Sequence, residues 1–324
     1  MLQTESAPQT TERNRRIRKK KHPPLYWILR ILMVVSFCCF LVFLAMLVIP
    51  KIQAMSVRNR IPVPGTNNVI AQTQATPIPA PEVADSSAAP EDPDKTEVSD
   101  EDDNLNKEDL APISEDFLEL KSMNPDVMGW LTMGEKIDYP VVRNSEDENY
   151  YLNHNFFKED DFNGSIFLSQ YNVLRPRDTI LQIYGHYLAT GDMFGTLPKY
   201  TDESYMRQHA LIKFRTVFAD ETGSDWYVPV AMFSASMDDD EPQYFDIHPV
   251  NFESKGEYRE YLNAMRSRSL WKAPADVNEE DELIVLVTCS YNFINSRHLL
   301  YCRRLRADET PEQMQALYLN QAQP

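Results

Sequence analysis

The stretch VLVTCSYNFINSRHLL spans Val285–Leu300. It continues a run of strand formers that starts at Leu283 and ends in Thr288 and Cys289; a polar loop follows, and Arg297 opens a second apolar run. Apolar, β-branched runs bounded by polar connections read as strands. A cysteine therefore stands where a strand leaves the core, with an arginine eight residues on where the next strand begins. If the two strands are neighbours, the guanidinium reaches the space beside the thiol. A fixed cation there can stabilise an oxyanion.

Working outward, short runs of the same kind recur at Gly129–Met133, Ile137–Val142, Ser165–Ser169, Thr179–Tyr184, Leu211–Val217, Trp226–Ser234 and His298–Leu305. With Leu283–Cys289 this is about eight short strands in about 180 residues, which predicts a mostly-β barrel or sandwich. Helices fit only in the gaps. SEDFLELKSMN predicts a helix capped at Ser114, with Phe117, Leu118 and Met123 toward a core. ESKGEYREYLNAMRSRSLW (253–271) predicts a second, with Tyr258, Tyr261, Leu262 and Met265 along one face, in the long connection before the cysteine strand. Residues 309–324 read as a polar C-terminal tail beyond a domain at 113–308.

The chain has 324 residues and a formal net charge of −17 at pH 7. Residues 13–21, RNRRIRKKK, are strongly basic, and residues 82–109 strongly acidic. A net acidic chain whose only basic run is N-terminal is a poor candidate for nucleic-acid binding. Residues 25–49 form an apolar run longer than the ~20 residues a membrane helix needs. The basic cluster precedes it, so residues 1–24 read as a cytoplasmic tail, 25–49 as an uncleaved transmembrane signal-anchor, and everything later as extracytoplasmic. Residues 50–112 are rich in Pro, Ala, Thr, Asp and Glu and nearly free of aromatics, the composition of a disordered linker.

Of the four cysteines, Cys38 and Cys39 lie in the apolar run. Two remaining cysteines make neither a disulfide framework nor a zinc site. Cys302 lies five residues past Arg297, roughly 16 Å along a strand and of opposite parity, and is read as structural. An arbitrary cysteine is usually a small hydrophobe; Cys289 differs by its place at a strand exit beside a loop. A thiol there becomes a nucleophile when a base favours the thiolate. Among six histidines His186 is the best partner, because TILQIYGHYLATGDMFG carries it out of an apolar strand onto a Gly-bounded loop. Strands of one sheet ending at the same edge would bring His186 and Cys289 together. His298, next to Arg297, is a weaker rival. The DDDE run at 238–241 lacks the ordered spacing of a calcium loop.

TCSYNFINSR resembles the sortase signature. NPDVMGWL (124–131) with IDYPVV (137–142), YYLNHNFF (150–157) with GSIFL (164–168), and YGHYLATGDMFGTLPKY (184–200) extend the resemblance to class B sortases over roughly 115–306. The resemblance implies a closed eight-stranded β-barrel with N-terminal helices, an extracytoplasmic membrane-anchored enzyme of a Gram-positive-type envelope, and a catalytic triad of His186, Cys289 and Arg297. It implies a thiol transpeptidase that cleaves a C-terminal sorting signal after threonine and passes the protein to an amine acceptor, from a cell-wall precursor or a pilin, without metal or organic cofactor. Thr288, Ser290, Tyr187 and Tyr291 are candidates for substrate contact. Class B members commonly carry Asn where this chain has Tyr187, and often an acidic residue where it has Ser290. The residues leave three rivals open: a pilin-polymerising enzyme, a cysteine peptidase with water as acceptor, and a non-catalytic membrane-anchored binding domain.

Overall fold

The computed structural model describes residues 24–65, 110–219, 221–289 and 295–320. The chain divides into two compact units, Met1–Ile49 and Pro50–Pro324. Helix α1 (Pro24–Arg60) carries, within the first unit, Ile28–Met46, 19 residues of mean hydropathy 2.7, long and apolar enough to cross a membrane; its residues from Pro50 on belong to the second unit. The tail before residue 24 and the acidic stretch 66–109 lie outside the described residues.

The second unit is built on one closed barrel. Its strands are β1 (Val127–Met133), β2 (Ile137–Val142), β3 (Ile166–Leu168), β4 (Ile180–Tyr184), β5 (Ile212–Thr216), β6 (Trp226–Ser236), β7 (Leu283–Cys289) and β8 (Ser296–Arg304). Round the barrel the order is β1-β2-β3-β4-β7-β8-β6-β5, with β2–β3 and β4–β7 parallel and the other pairs antiparallel. All eight expected strands form, and closure leaves no free edge.

Leu283–Val287 of β7 and Leu299–Cys302 of β8 are apolar on both faces because both faces are buried. Ile284, Leu286, Leu300 and Cys302 join a core to which every strand contributes, so this face is the barrel interior. Leu283, Val285, Val287, Leu299 and Tyr301 belong to a second cluster on the outer face. Helix α4 (Lys255–Arg268, after α2, Glu115–Met123, and α3, Glu203–Gln208) covers that cluster with Tyr258, Leu262 and Met265. Each such side chain removed from water contributes roughly 1.5–3 kcal/mol. Ser254 caps α4, its hydroxyl accepting from the Glu257 N–H at 3.2 Å. Cys302 is buried in the interior, as its parity requires, and burial pushes its thiol well above the ordinary range.

Three expectations change. In α2 the buried residues are Phe117 and Leu120, one turn apart, while Leu118 and Met123 are exposed. Ser114 caps α2 with its backbone, whose carbonyl accepts from Phe117, and its side chain makes no capping bond. Residues 50–65 do not behave as linker. Helix α1 runs on to Arg60, and Val57 in its last turn and Ile61 just beyond it are buried in the barrel's core cluster. Nor is the C-terminal segment a tail outside the domain. Helix α5 (Pro311–Asn320) buries Met314 and Tyr318; Arg207 donates to the Tyr318 carbonyl at 3.0 Å and the Tyr318 hydroxyl donates to the Pro229 carbonyl. Of its apolar residues only Met314 and Tyr318 are buried, while Leu317 and Leu319 stay exposed, so no clean apolar face marks the helix in the sequence.

Tyr318→Ala removes a fully buried ring and is expected to cost about 3 kcal/mol in a urea melt. A change under 0.5 kcal/mol, the size usual for an exposed site, would show that α5 does not pack on the barrel.

Candidate active site

Parallel pairing of β4 and β7 sets Tyr184 opposite Val287, and Gly185 extends the ladder by donating to the Val287 carbonyl at 3.1 Å. Two residues beyond each of that pair stand His186 and Cys289, so both lie at the same level where adjacent strands leave the barrel. On the other side of β7, the antiparallel register makes Cys289 the direct partner of Arg297 and Thr288 that of His298. Arg297 falls in the alternation class of Leu299 and Tyr301.

Beside these strand ends lies a cavity of about 610 Å³, and both His186 and Arg297 line it. So do Thr288, Val287, Gln182 and Tyr184 on the strands, and Glu148, Leu152, Ser169, Tyr171, Met237 and His248 on the connections. Burial pushes the Tyr184 phenol up to about 12; the Glu148 carboxylate adds to this rise and the Arg297 guanidinium opposes it. The phenol therefore stays protonated at neutral pH. Thr288 is buried, and among the described residues its Oγ1 has no hydrogen-bond partner.

His186 is held by backbone. Its Nε2 lies 2.7 Å from the Leu152 carbonyl oxygen. A carbonyl only accepts, so Nε2 donates and Nδ1 is left as the ring's acceptor nitrogen. Two glycines make room for this anchor. A Cβ on Gly185 would sit 2.8 Å from the Phe194 ring, which closes the turn after His186. Gly164, at φ +60°, lies so close to the 150–152 turn that a Cβ would stand 2.6 Å from the Tyr151 oxygen and 2.7 Å from the Leu152 oxygen. Phe162, 82% exposed, stacks over the imidazole with ring centroids 6.4 Å apart and planes 10° from parallel.

The other sequence candidates are placed as follows. His298 is buried and hydrogen-bonded to the Ser234 hydroxyl at 3.0 Å through Nδ1. Tyr187 forms a backbone bridge with Met193 and is not among the residues that line the cavity. Ser290 and Tyr291 lie outside the described residues. Leu152, Glu148 and Phe162 were not anticipated. A main-chain carbonyl leaves no sequence signal, and the YYLNHNFF segment is far from His186 in the chain.

No family model matches the chain. It is 30% identical over 178 residues to sortase B of Listeria monocytogenes, covering 55% of this chain and 68% of the relative. Sortase B of Staphylococcus aureus is 26% identical over 174 residues, covering 53% and 67%. Among solved structures, Clostridium perfringens sortase B superposes with a TM-score of 0.51 at 28% identity, covering 58% of this chain and 98% of that one. A Bacillus anthracis protein similar to sortase B gives a TM-score of 0.52 at 27% identity, covering 60% and 86%. With a closed barrel of the same kind, the chain is a sortase, a cysteine transpeptidase. Within that class it belongs to the class B sortases.

Gly164→Ala should drive the Leu152 carbonyl off His186 and lower kcat about tenfold or more. Gly223→Ala, at another positive φ (+95°) beside Arg304, is the control: it should destabilise without changing kcat. Equal kcat in the two variants would remove the carbonyl anchor from the account. A second expectation concerns pH. Burial holds the His298 imidazole below its ordinary 6.5. The unfolded chain thus takes up the proton more readily than the folded one. The stability this confers is fully present above pH 6.5 and is lost as pH falls through the lower folded value. Thermal melts below pH 6.5 should decline more steeply for the wild type than for His298→Asn. Parallel declines would mean that His298 titrates normally.

Proposed function

We propose that the protein is a membrane-anchored sortase that uses Cys289, His186 and Arg297 to transfer proteins bearing a C-terminal sorting signal to an amine of a cell-wall precursor. The single observation carrying this reading is the convergence of His186 and Arg297 on one cavity at the end of β7, where Cys289 is the register partner of Arg297.

In the first step the Cys289 thiolate attacks the carbonyl carbon of the signal's threonine. Arg297 stabilises the charge that develops on the carbonyl oxygen. The C–N bond breaks, and His186 gives its Nδ1 proton to the departing amine. In the second step an acceptor amine attacks the thioester carbon, Nδ1 takes the amine's proton, and the C–S bond breaks to restore the thiolate. The same nitrogen serves as acid and then as base, and the Leu152 carbonyl keeps the ring in place through both. The buried Thr288 hydroxyl offers the substrate backbone a hydrogen bond; leaving it unpaired costs about 1–3 kcal/mol. The apolar stretch of α1 anchors the chain, with the basic run at 13–21 holding the N-terminus in the cytoplasm and the barrel outside. A solved Staphylococcus aureus relative is described as a sortase B–substrate complex, which fits a peptide in such a groove.

The test combines a peptide library with mass spectrometry of the purified protein. A thioester adduct is expected on Cys289, and triglycine added as amine should convert hydrolysis product into amide. Cys289→Ala should reduce turnover at least about a thousandfold. Equal turnover in the variant would end the enzyme reading. Hydrolysis indifferent to added amine would make the protein a peptidase.

A further inference from the structure

Within the second unit, the end of α1 (from Pro50) stands on two different parts of the fold. One foot is on the barrel wall. Arg58 donates to Asp138 of β2 at 2.6 Å and lies over the Trp130 ring of β1 at 5.3 Å, and the Trp130 indole N–H donates to the same carboxylate at 2.6 Å. Val57 and Ile61 are buried beside these groups in the core cluster. The other foot is on the loop between the 3₁₀ turn Tyr150–Leu152 and β3. Arg60 pairs with Glu159 at 3.1 Å and its guanidinium lies 4.2 Å from the centroid of the Phe157 ring.

That loop follows directly on the turn whose Leu152 carbonyl holds His186, and its internal bonds tie Glu159 to its start. Glu159 Oε2 also accepts from Asn155 Nδ2 at 2.9 Å, and the Asn155 N–H donates to the Glu159 carbonyl at 2.9 Å. Asn155 Oδ1 accepts in turn from the N–H groups of Phe157 and Glu159, at 2.9 and 3.2 Å. The hydrogen bond from Arg60, and then that from Asn155, holds the Glu159 carboxyl below its ordinary range. Further along, Asp161 donates to the Asn153 carbonyl at 2.9 Å and Ser165 to the Tyr151 carbonyl at 2.9 Å, so the loop is folded back on the 150–152 turn. Phe162, from the same loop, covers the imidazole.

We propose that Arg60 is a positioning residue for His186: by bridging the rigid β1–β2 wall to Glu159 and Phe157, the end of the N-terminal helix fixes the loop that folds back on the 150–152 turn, whose Leu152 carbonyl holds the imidazole. Arg60 touches no reacting atom and acts through the loop. The exposed ion pair and ring contact each contribute little to overall stability. Their effect is concentrated on the loop because the Arg58 foot, Val57 and Ile61 anchor the helix end independently. The inference rests on the proposed role of His186, and its test reads the imidazole directly.

The full-length chain in detergent micelles is labelled at histidine with ¹⁵N, and the His186 signals are assigned by loss in His186→Gln. The rate of Cys289 alkylation by iodoacetamide is followed across pH by mass spectrometry of its peptide. In the wild type His186 is expected in the Nε2–H form. Arg60→Glu should introduce the other tautomer and change the alkylation rate at pH 7 about three- to tenfold, with little change in melting temperature. Arg60→Lys should fall between the two, keeping the charge and losing the flat contact with Phe157. The swap Arg60→Glu with Glu159→Arg should restore much of the wild-type behaviour. Identical His186 signals in wild type and Arg60→Glu would overturn the proposal, as would a change that the swap leaves uncorrected and that tracks melting temperature. Alkylation indifferent to His186→Gln would instead sink the catalytic reading, while the imidazole signals would still decide the role of Arg60.

Discussion

Strands β4, β7 and β8 lie hydrogen-bonded side by side, and their register is the constraint on which everything else in the second unit depends. Tyr184 opposite Val287 and Cys289 opposite Arg297 bring three distant segments to one level at one end of the barrel. A slip of one residue in either pairing would exchange the interior and exterior faces of a strand. Such a slip is blocked on both sides. Ile284 and Leu286 fit the filled interior, while Leu283, Val285 and Val287 fit the layer beneath α4. Close packing against both faces makes the register a property of the whole core rather than of any one hydrogen bond.

The local electrostatics follow from that geometry. Histidines that work as acid and base are often oriented by a carboxylate, which also biases their charge. Here the orienting group is a main-chain carbonyl at 2.7 Å. A carbonyl selects the Nε2–H form without adding a net charge. The arginine is supplied by the partner position on β8, where the backbone on either side is buried and paired. The arginine stands on a strand; the histidine's support, the Leu152 carbonyl, stands on the 150–152 turn, next to the loop that the end of α1 contacts through Arg60.

The reading from sequence succeeded where burial repeats with the period of the element. Eight strand-like runs became eight strands, and Tyr258, Leu262 and Met265 of α4 face the core as their spacing required. It failed where composition was allowed to stand for periodicity. Residues 50–65 look like the start of a polar linker, yet Val57 and Ile61 are enough to fasten a helix end. The last helix was likewise too polar on average to reveal Met314 and Tyr318. Leu118 and Met123 show the opposite error, since an apolar residue on a short helix is buried only if a neighbour covers that side.

The chain's order of residues was sufficient to determine which elements form, that an apolar helix precedes a mostly-β domain, and which cysteine, histidine and arginine sit at strand ends, because those properties depend on side-chain period and local composition. Which strand ends meet was decided only by closure of the barrel. So were the service of the Leu152 carbonyl to His186 and the reach of Arg60 to Glu159. Such contacts join backbone and side-chain atoms from segments far apart in sequence, and the pattern of any one segment carries no trace of them.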